Sequence, residues 1–384
     1  MPFPPWKQNR ILSDPFRSGF GRRALLCGLD RPFRKGVHLK HNNLTEALEM
    51  ARALHELGYA VDVINHDSPL PVDYSAYEVL FGAGLAMERA VLQDAFPRLR
   101  TILYLCGAYV PLSNRSSLAR VDDLYRRRGV WLPQSARLGD PGWGLERVVD
   151  GLIVLGNRVT ADPYRAVTPR PVHELPLFFL PVVDPEPVLA ARDLPRARAH
   201  FVWFAGTGLV HKGLDLALEA FARHPDLHLH VYGAIQNEPA FVAAFQRELQ
   251  GTPNVHVEGF LGLDTPAFRQ ALLASAFMIS PSCAEACNSS VLNICGNGGH
   301  VPLLTRVNGI DLGDFGVPIQ DTTVAAVEAA LAQAAALSDA ELDRRLRATA
   351  AHMAREHSLE RYRQRLKDAV QAILAQPAAG GGRP

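Results

Sequence analysis

Short apolar runs alternate with helix-period segments in two series along this chain, and a proline-dense stretch separates them. RALLCGL (23–29), YAVDVIN (59–65), EVLFGA (78–83), TILYLCG (101–107) and GLIVLGN (151–157) read as buried strands. Between the first two, Leu44, Ala47, Leu48, Ala51 and Leu54 recur at helical spacing. Asn43 is placed as the N-cap, Glu46 closes a capping box three residues on, and Gly58 ends the helix. Strand, helix and strand in that order predict a right-handed parallel crossover, the unit of doubly wound sheets. An arginine-rich helix is expected over 114–128, and Thr160 is placed to cap a short helix after GLIVLGN.

TPRPVHELPLFFLPVVDPEP (168–187) then breaks the pattern, because proline neither continues a helix nor sits in a central strand. A second series follows: HFVWFAG (200–206), LHLHVYG (227–233), NVHVEGF (254–260), FMISPS (277–282) and HVPLLT (300–305) as strands, with LDLALEAFARH (214–224) as a helix stopped by Pro225. Helices are expected near 323–337 and 358–375. The 384 residues suit two or three domains at roughly 150 residues each. The expected organisation is an irregular arm over 1–20 and a Rossmann-like domain over 21–167. A linker follows over 168–195, then a second Rossmann-like domain over 196–355, a closing helix over 356–375 and a disordered tail over 376–384. The fold class is α/β.

Charge narrows the partners. Forty basic residues face 39 acidic ones, for a formal net charge of +1, and a general nucleic-acid binder would carry a basic domain or stripe. The five cysteines are odd in number and contain no CxxC, which fits a reducing, cytoplasmic setting and offers no structural zinc quartet. MPFPPWKQNR lacks the apolar core of a signal peptide, and no uncharged apolar run reaches the roughly 18 residues of a membrane span. Any membrane contact would then be peripheral. Oligomeric state is open.

Two stretches carry chemistry. In FAGTGLVHKGLDLALEAF (204–221) a strand ends in Gly206-Thr207-Gly208, and Lys212-Gly213 opens a helix. Amides at a helix N-terminus favour an anion, and a lysine there adds a full charge. The Gly-x4-Gly-Lys-[Ser/Thr] order of a P-loop is missing. In SPSCAEACNSSVLNICGNGGHVPLL (280–304) a strand runs into a loop of small residues holding one carboxylate, Glu285, before a helix that starts near Asn288 to Ser290. Read alone, the first is equally an anion site or a glycine-rich turn with a surface lysine, and Glu285 reads as a solvated loop charge.

Together these stretches resemble GT-B glycosyltransferases of the group 1, family-4-like kind. That pattern has Gly-Arg, four residues, then Lys-Gly, and here Gly206, Thr207, Lys212 and Gly213 keep the spacing. It then has Glu, seven residues, Glu; Glu285 matches the first, and Asn293 occupies the second position. EHSLERYRQRLKDAVQAIL (356–374) resembles the family's closing helix, which returns to the first domain. VHKGLDL, GNGGHVPLL and GIDLGDFG resemble a bacterial subgroup.

The resemblance implies two Rossmann-like domains facing a cleft, a nucleotide diphosphate-sugar on the second and a glycan or lipid-linked acceptor on the first. It implies transfer to a hydroxyl with retention, without a metal or other cofactor, in bacterial surface-polysaccharide biosynthesis. Catalytic candidates are Glu285, Lys212 and His66. Donor-binding candidates are Gly206, Thr207, Gly208, Lys212, Gly233, Asn288, Ser289, Ser290 and Asn293. Thr207 stands in place of a phosphate-binding arginine, and Asn293 in place of a ribose-binding glutamate. Threonine cannot supply a bidentate cation, and asparagine carries no charge. A basic loop after the first strand, with Arg34, Lys35, Gly36 and Lys40, is therefore expected to serve donor phosphates or the acceptor. A catalytically inactive binding or assembly subunit, or a sugar-nucleotide epimerase, are the alternatives.

The remaining features read as structural. His66 directly follows VDVIN, while His38 and His41 lie in the basic loop. A lone histidine at a strand end is ordinarily a hydrogen-bonded surface residue. FGAGLAMERA (81–90) has Met87 where the third glycine of a dinucleotide fingerprint would stand. Arg126-Arg127-Arg128 reads as a solvated helix end, with an anionic acceptor or lipid headgroup as the other reading. His228 and His230 share a strand face with no third metal ligand evident.

Overall fold

The computed structural model describes residues 10–37, 42–93, 95, 98–140 and 144–376. His38, Lys40, His41, the first nine residues of the arm and the tail beyond 376 lie outside the described residues. The described chain begins β1 (Arg22–Gly28), α1 (Arg31–Lys35), α2 (Asn42–Glu56), β2 (Tyr59–Asn65), β3 (Val79–Gly82), α3 (Leu85–Leu92), β4 (Arg100–Leu105) and α4 (Val110–Arg128). It continues through β5 (Gly151–Leu155), α5 (Arg158–Arg165), β6 (Val172–Leu175), α6 (Pro185–Ala191), α7 (Leu194–Ala197), β7 (His200–Phe204), α8 (Leu214–Phe221) and β8 (His228–Tyr232). Then come α9 (Pro239–Ala244), α10 (Gln246–Gly251), β9 (Val255–Gly259), α11 (Pro266–Ala274), β10 (Phe277–Ser280) and α12 (Ser289–Gly298). The last elements are β11 (Val301–Thr305), β12 (Val317–Ile319), α13 (Val324–Ala335), α14 (Asp339–Glu356) and α15 (Leu359–Ala375).

The chain divides into two compact units. One takes the residues up to Cys106, the stretch between Asp140 and Pro176, and those from Glu360 onward; the other takes Gly107–Asp140 and Pro176–Leu359.

The first unit holds a six-stranded parallel sheet in the order β2-β1-β3-β4-β5-β6. The order reverses between β1 and β3, and backbones cross there at close range. A Cβ on Gly82 (φ 124°) would lie 1.9 Å from the Cys27 carbonyl oxygen, and one on Gly84 (φ 102°) would lie 2.3 Å from that of His66. The Gly-x-Gly of FGAG therefore serves this crossing, while Met87 is wholly buried. Glu46 does not close a capping box. It is buried and accepts a hydrogen bond from Tyr104 Oη at 2.8 Å, which also pairs with Tyr362 Oη at 2.9 Å. These three residues tie α2, β4 and α15 together, and Arg363 adds a bidentate pair to Glu49 at 2.6 and 2.9 Å. Asn157, not Thr160, caps α5. Leu12 of the arm bridges antiparallel to Val63 of β2. The proline-rich stretch also contributes β6, an edge strand, where a proline-flanked segment is tolerated.

The second unit holds another parallel sheet, β12-β11-β10-β7-β8-β9, with the order switch between β7 and β10. Its core includes Phe201, Trp203, Phe221, Phe241, Phe245 and Phe277, with Phe201 and Phe277 stacked at 4.6 Å. Residues 107–140, expected inside the first domain, pack in this unit. Val121, Leu124 and Leu132 of this segment are buried in that core, and ion pairs join them: Asp215 of α8, with no solvent exposure, receives Arg120 at 2.6 Å and Arg127 at 2.7 Å. Arg127 also pairs with Glu219, and Arg128 binds Glu248 at 2.8 Å while its guanidinium lies 4.3 Å from the centre of the Phe245 ring. Of the three arginines read as a solvated helix end, only Arg126 is exposed, paired with Asp122.

Candidate functional site

Ligands of open α/β sheets bind beyond the carboxyl ends of the strands, where the strand order reverses. In the second unit that point lies between β7 and β10, which pair only at Phe277–Phe201 and Met278–Val202. The two chemistry-bearing stretches leave the sheet on either side of this gap.

After β7 the chain makes the turn Gly206–Gly213. Gly208 (φ 84°) and Gly213 (φ 71°) adopt the left-handed region, and a Cβ on Gly213 would meet the Pro281 carbonyl oxygen at 2.3 Å. The turn lets the Lys212 amide donate to the Gly208 carbonyl at 2.8 Å and delivers the lysine into the gap. Its amides are partly spoken for. The buried Glu238 carboxylate accepts from Gly208 N at 2.5 Å and Leu209 N at 3.2 Å, and its other oxygen accepts from Ser135 Oγ at 2.5 Å. The anion that these amides attract is the protein's own carboxylate. Gly206 and Thr207 are exposed at the tip.

After β10 the loop 281–288 is braced from behind. The Glu285 amide donates to the Val307 carbonyl at 2.9 Å, and a Cβ on Gly309 (φ 70°) would lie 1.6 Å from the Ala286 carbonyl oxygen. Asn288 caps α12 by accepting from Ser290 N at 3.2 Å, while its amide group donates to Ser280 Oγ and Asn308 Oδ1. Its side chain is thus structural. Ser289 and Ser290 open the helix half-buried.

Lys212 Nζ and Glu285 Oε1 form a direct ion pair, and Ser282 Oγ donates to the same carboxylate oxygen at 2.6 Å. The side chains are 11% and 9% exposed, so little water screens the pair. Burial pulls the Lys212 ammonium below its ordinary pKa, with Glu285 opposing and Arg137 adding to the fall. Burial raises the Glu285 carboxyl, but Lys212 foremost, then His211 and the hydrogen bonds, hold it below the usual carboxylate range. Neighbouring His211 donates from Nε2 to the Ala284 carbonyl at 2.7 Å, since a carbonyl only accepts. Its Nδ1 then accepts from Ser117 Oγ at 2.5 Å. Burial lowers its pKa to about 4, so it is neutral at pH 7.

Other candidates lie elsewhere or are occupied. Gly233 (φ 153°) sits at the end of β8, where a Cβ would be 2.3 Å from the Ala205 carbonyl oxygen. Asn293 Oδ1 accepts from the Leu180 amide at 2.8 Å, and Asn297 one turn on accepts from Val182 and Val183. Asn293 therefore pins the proline-rich segment to α12. His66, Arg34, Lys35 and Gly36 belong to the first unit. Arg34 is bound to Asp30 at 2.7 Å, and Gly36 ends α1. His66 is exposed, with its backbone N–H donating to Gly28 and its carbonyl accepting from Leu85.

Sequence reading missed Glu238, His211, Ser117 and Arg137. None lies in a spacing pattern with Lys212, except His211, which adjoins it. Among the described residues no group of three or more His, Cys, Asp or Glu is placed to hold a metal ion, and no helix is long and apolar enough to cross a membrane.

No family profile and no curated protein matches the chain in sequence. Solved structures do match. A glycosyltransferase from Rickettsia africae is 12% identical with a TM-score of 0.62, covering 93% of this chain and 100% of its own. A sucrose-phosphate synthase from Thermosynechococcus elongatus is 14% identical with a TM-score of 0.65, covering 92% and 100%. HepE of Anabaena, solved with UDP and glucose, is 10% identical with a TM-score of 0.58, covering 91% and 99%. With its two parallel six-stranded sheets, the chain has the α/β fold of the GT-B glycosyltransferases.

Proposed function

We propose that the protein transfers a sugar from a nucleotide diphosphate-sugar to an acceptor hydroxyl. The observation that carries this is the buried Lys212–Glu285 pair at the switch point of the second sheet. In the reaction the bond between the anomeric carbon and the diphosphate oxygen breaks, its electron pair stays with the diphosphate, the acceptor hydroxyl oxygen bonds to the carbon, and the hydroxyl proton passes to the departing diphosphate. Lys212 meets the charge that grows on the leaving diphosphate, while Glu285 accepts a hydrogen bond from the donor sugar. The UDP and glucose of the HepE structure support a nucleotide-sugar as ligand. Retention, independence from metals and a surface-polysaccharide acceptor at the inner face of a membrane are further parts of this proposal, supported by the resemblance of the motifs.

The test is release of nucleoside diphosphate from UDP-, GDP-, ADP- and dTDP-linked sugars. Lys212→Ala is expected to lower turnover by about 10²- to 10³-fold, as loss of one charge-stabilising donor does elsewhere. Normal turnover in that variant would refute the role. A second reading, a binding or assembly subunit without catalysis, is favoured by Asn293, whose side-chain oxygen is held by the Leu180 amide. It predicts that no nucleotide-sugar raises the melting temperature and that no diphosphate is released.

A further inference from the structure

Resting on the donor reading above, we propose that Arg137 is the second cation of the diphosphate site, carried there by the segment that α4 docks. The charge count motivates it. Lys212 is already offset by Glu285, and His211 is neutral, so the pair alone is a poor match for a diphosphate carrying more than one negative charge. Arg137 is exposed, and among the described residues no carboxylate lies within ion-pair distance of it.

Its placement follows from packing. The Arg137 stem runs across Gly208: a Cβ on that glycine would be 2.3 Å from Arg137 Cγ, 2.7 Å from Cδ and 3.5 Å from the Cβ of His211. Only a residue without a side chain leaves that track open. The Arg137 amide donates to Ser117 Oγ at 3.4 Å, the same hydroxyl that meets His211. Two residues back, Ser135 donates to Glu238 and its carbonyl accepts from His211 N at 3.3 Å. Residues 135–137 thus lie along the turn that delivers Lys212, and the guanidinium is close enough to depress the pKa values of both Lys212 and His211. A guanidinium offers a planar fork that matches phosphate oxygens. Thr207, beside Gly208, supplies no such group.

Calorimetric titration with UDP, GDP and ADP, and with the matching monophosphates and nucleosides, tests this on wild type, Arg137→Ala, Arg137→Lys and Lys212→Ala. Because Arg137 is exposed, melting curves are expected to show Arg137→Ala folded. Arg137→Ala should weaken the bound diphosphate by about 10- to 100-fold. The monophosphate should lose less, the nucleoside should not change, and Arg137→Lys should lie between. If wild type binds and Lys212→Ala weakens binding while Arg137→Ala matches wild type, the inference fails and the donor reading stands. An equal loss for diphosphate and nucleoside also overturns it. If wild type binds none of the diphosphates, both fall together.

Discussion

Asp215→Ala tests what holds residues 107–140 in the second unit. Asp215 is fully buried and receives two guanidinium groups, from Arg120, 3% exposed, and Arg127, 22% exposed. Breaking a buried pair by removing one partner costs about 3–5 kcal/mol, chiefly from the charge left behind. Here Asp123 still binds Arg120 at 2.6 Å and Arg127 at 2.9 Å, and Glu219 still binds Arg127. That puts the expected loss at the lower end, about 3 kcal/mol. Urea unfolding followed by fluorescence of Trp203, buried in the same unit, measures it. Hydrogen exchange should show the amides of α4 losing protection first. The network is also incompletely satisfied, with Asp215 Oδ1 and Arg120 Nε lacking partners among the described residues. Arg120→Met combined with Asp215→Leu should therefore recover most of the stability lost in Asp215→Ala, because it removes the two most buried charges and leaves Arg127 its pairs with Asp123 and Glu219. A loss below about 1 kcal/mol in Asp215→Ala, or unchanged exchange in α4, would refute a contribution of these ion pairs to the docking of this helix.

Two titrations should act in opposite directions. Burial pushes the Glu46 carboxyl up from 4.5 to about 7, against its hydrogen bond from Tyr104. Its contribution is present below pH 4.5 and lost as pH rises through 7, about 3 kcal/mol in all, and Glu46→Gln should flatten that limb of a urea-midpoint profile. Burial pulls His211 down from 6.5 to about 4, so its contribution is present above pH 6.5 and lost as pH falls through 4, again about 3 kcal/mol; His211→Gln should flatten the acid limb. Unchanged profiles would refute either assignment. Gly309→Ala should cost at least about 2 kcal/mol in a thermal or urea melt, since it combines a left-handed φ with a backbone clash. Gly206→Ala, with no atom within 4 Å of the added carbon, should melt like wild type, and equal melts for the two would contradict the bracing of the Glu285 loop.

The strands were legible because parallel strands covered on both faces are nearly continuous apolar runs. YAVDVIN coincides with β2, and every residue from Tyr59 to Ile64 is buried. VHEL and VPI, which became β6 and β12, were not legible: each is short, sits at a sheet edge and is flanked or interrupted by proline. Lys212 and Glu285 could be picked out because the two stretches that hold them keep the spacing of the glycosyltransferase pattern they resemble; taken one at a time, neither stretch required a ligand. Their meeting needed only that β7 and β10 be neighbours. Glu46 misled for a related reason. Its position fits a capping box, but the periodicity of α2 does not reveal that Tyr104, 58 residues on, claims the carboxylate.

The assignment of residues 107–140 depends on contacts across large sequence separations, apolar ones from Val121, Leu124 and Leu132 as well as charge pairs, which no local period encodes. Arg127 meets Asp215 across 88 residues and Arg128 meets Glu248 across 120. Once those pairs place the segment, the rest follows by short-range geometry. Ser135 must satisfy Glu238, Glu238 must hold the Gly208 and Leu209 amides, and the backbone between Ser135 and Arg137 is set alongside the turn. The same amides that a bare glycine-rich turn would offer to a phosphate are thereby taken by a carboxylate. A site built this way must draw its attraction for an anion from side chains rather than from that part of the backbone. Along that turn lie Lys212, paired with Glu285, and Arg137, which has no carboxylate within ion-pair distance among the described residues, and these are the side chains the proposed site would use.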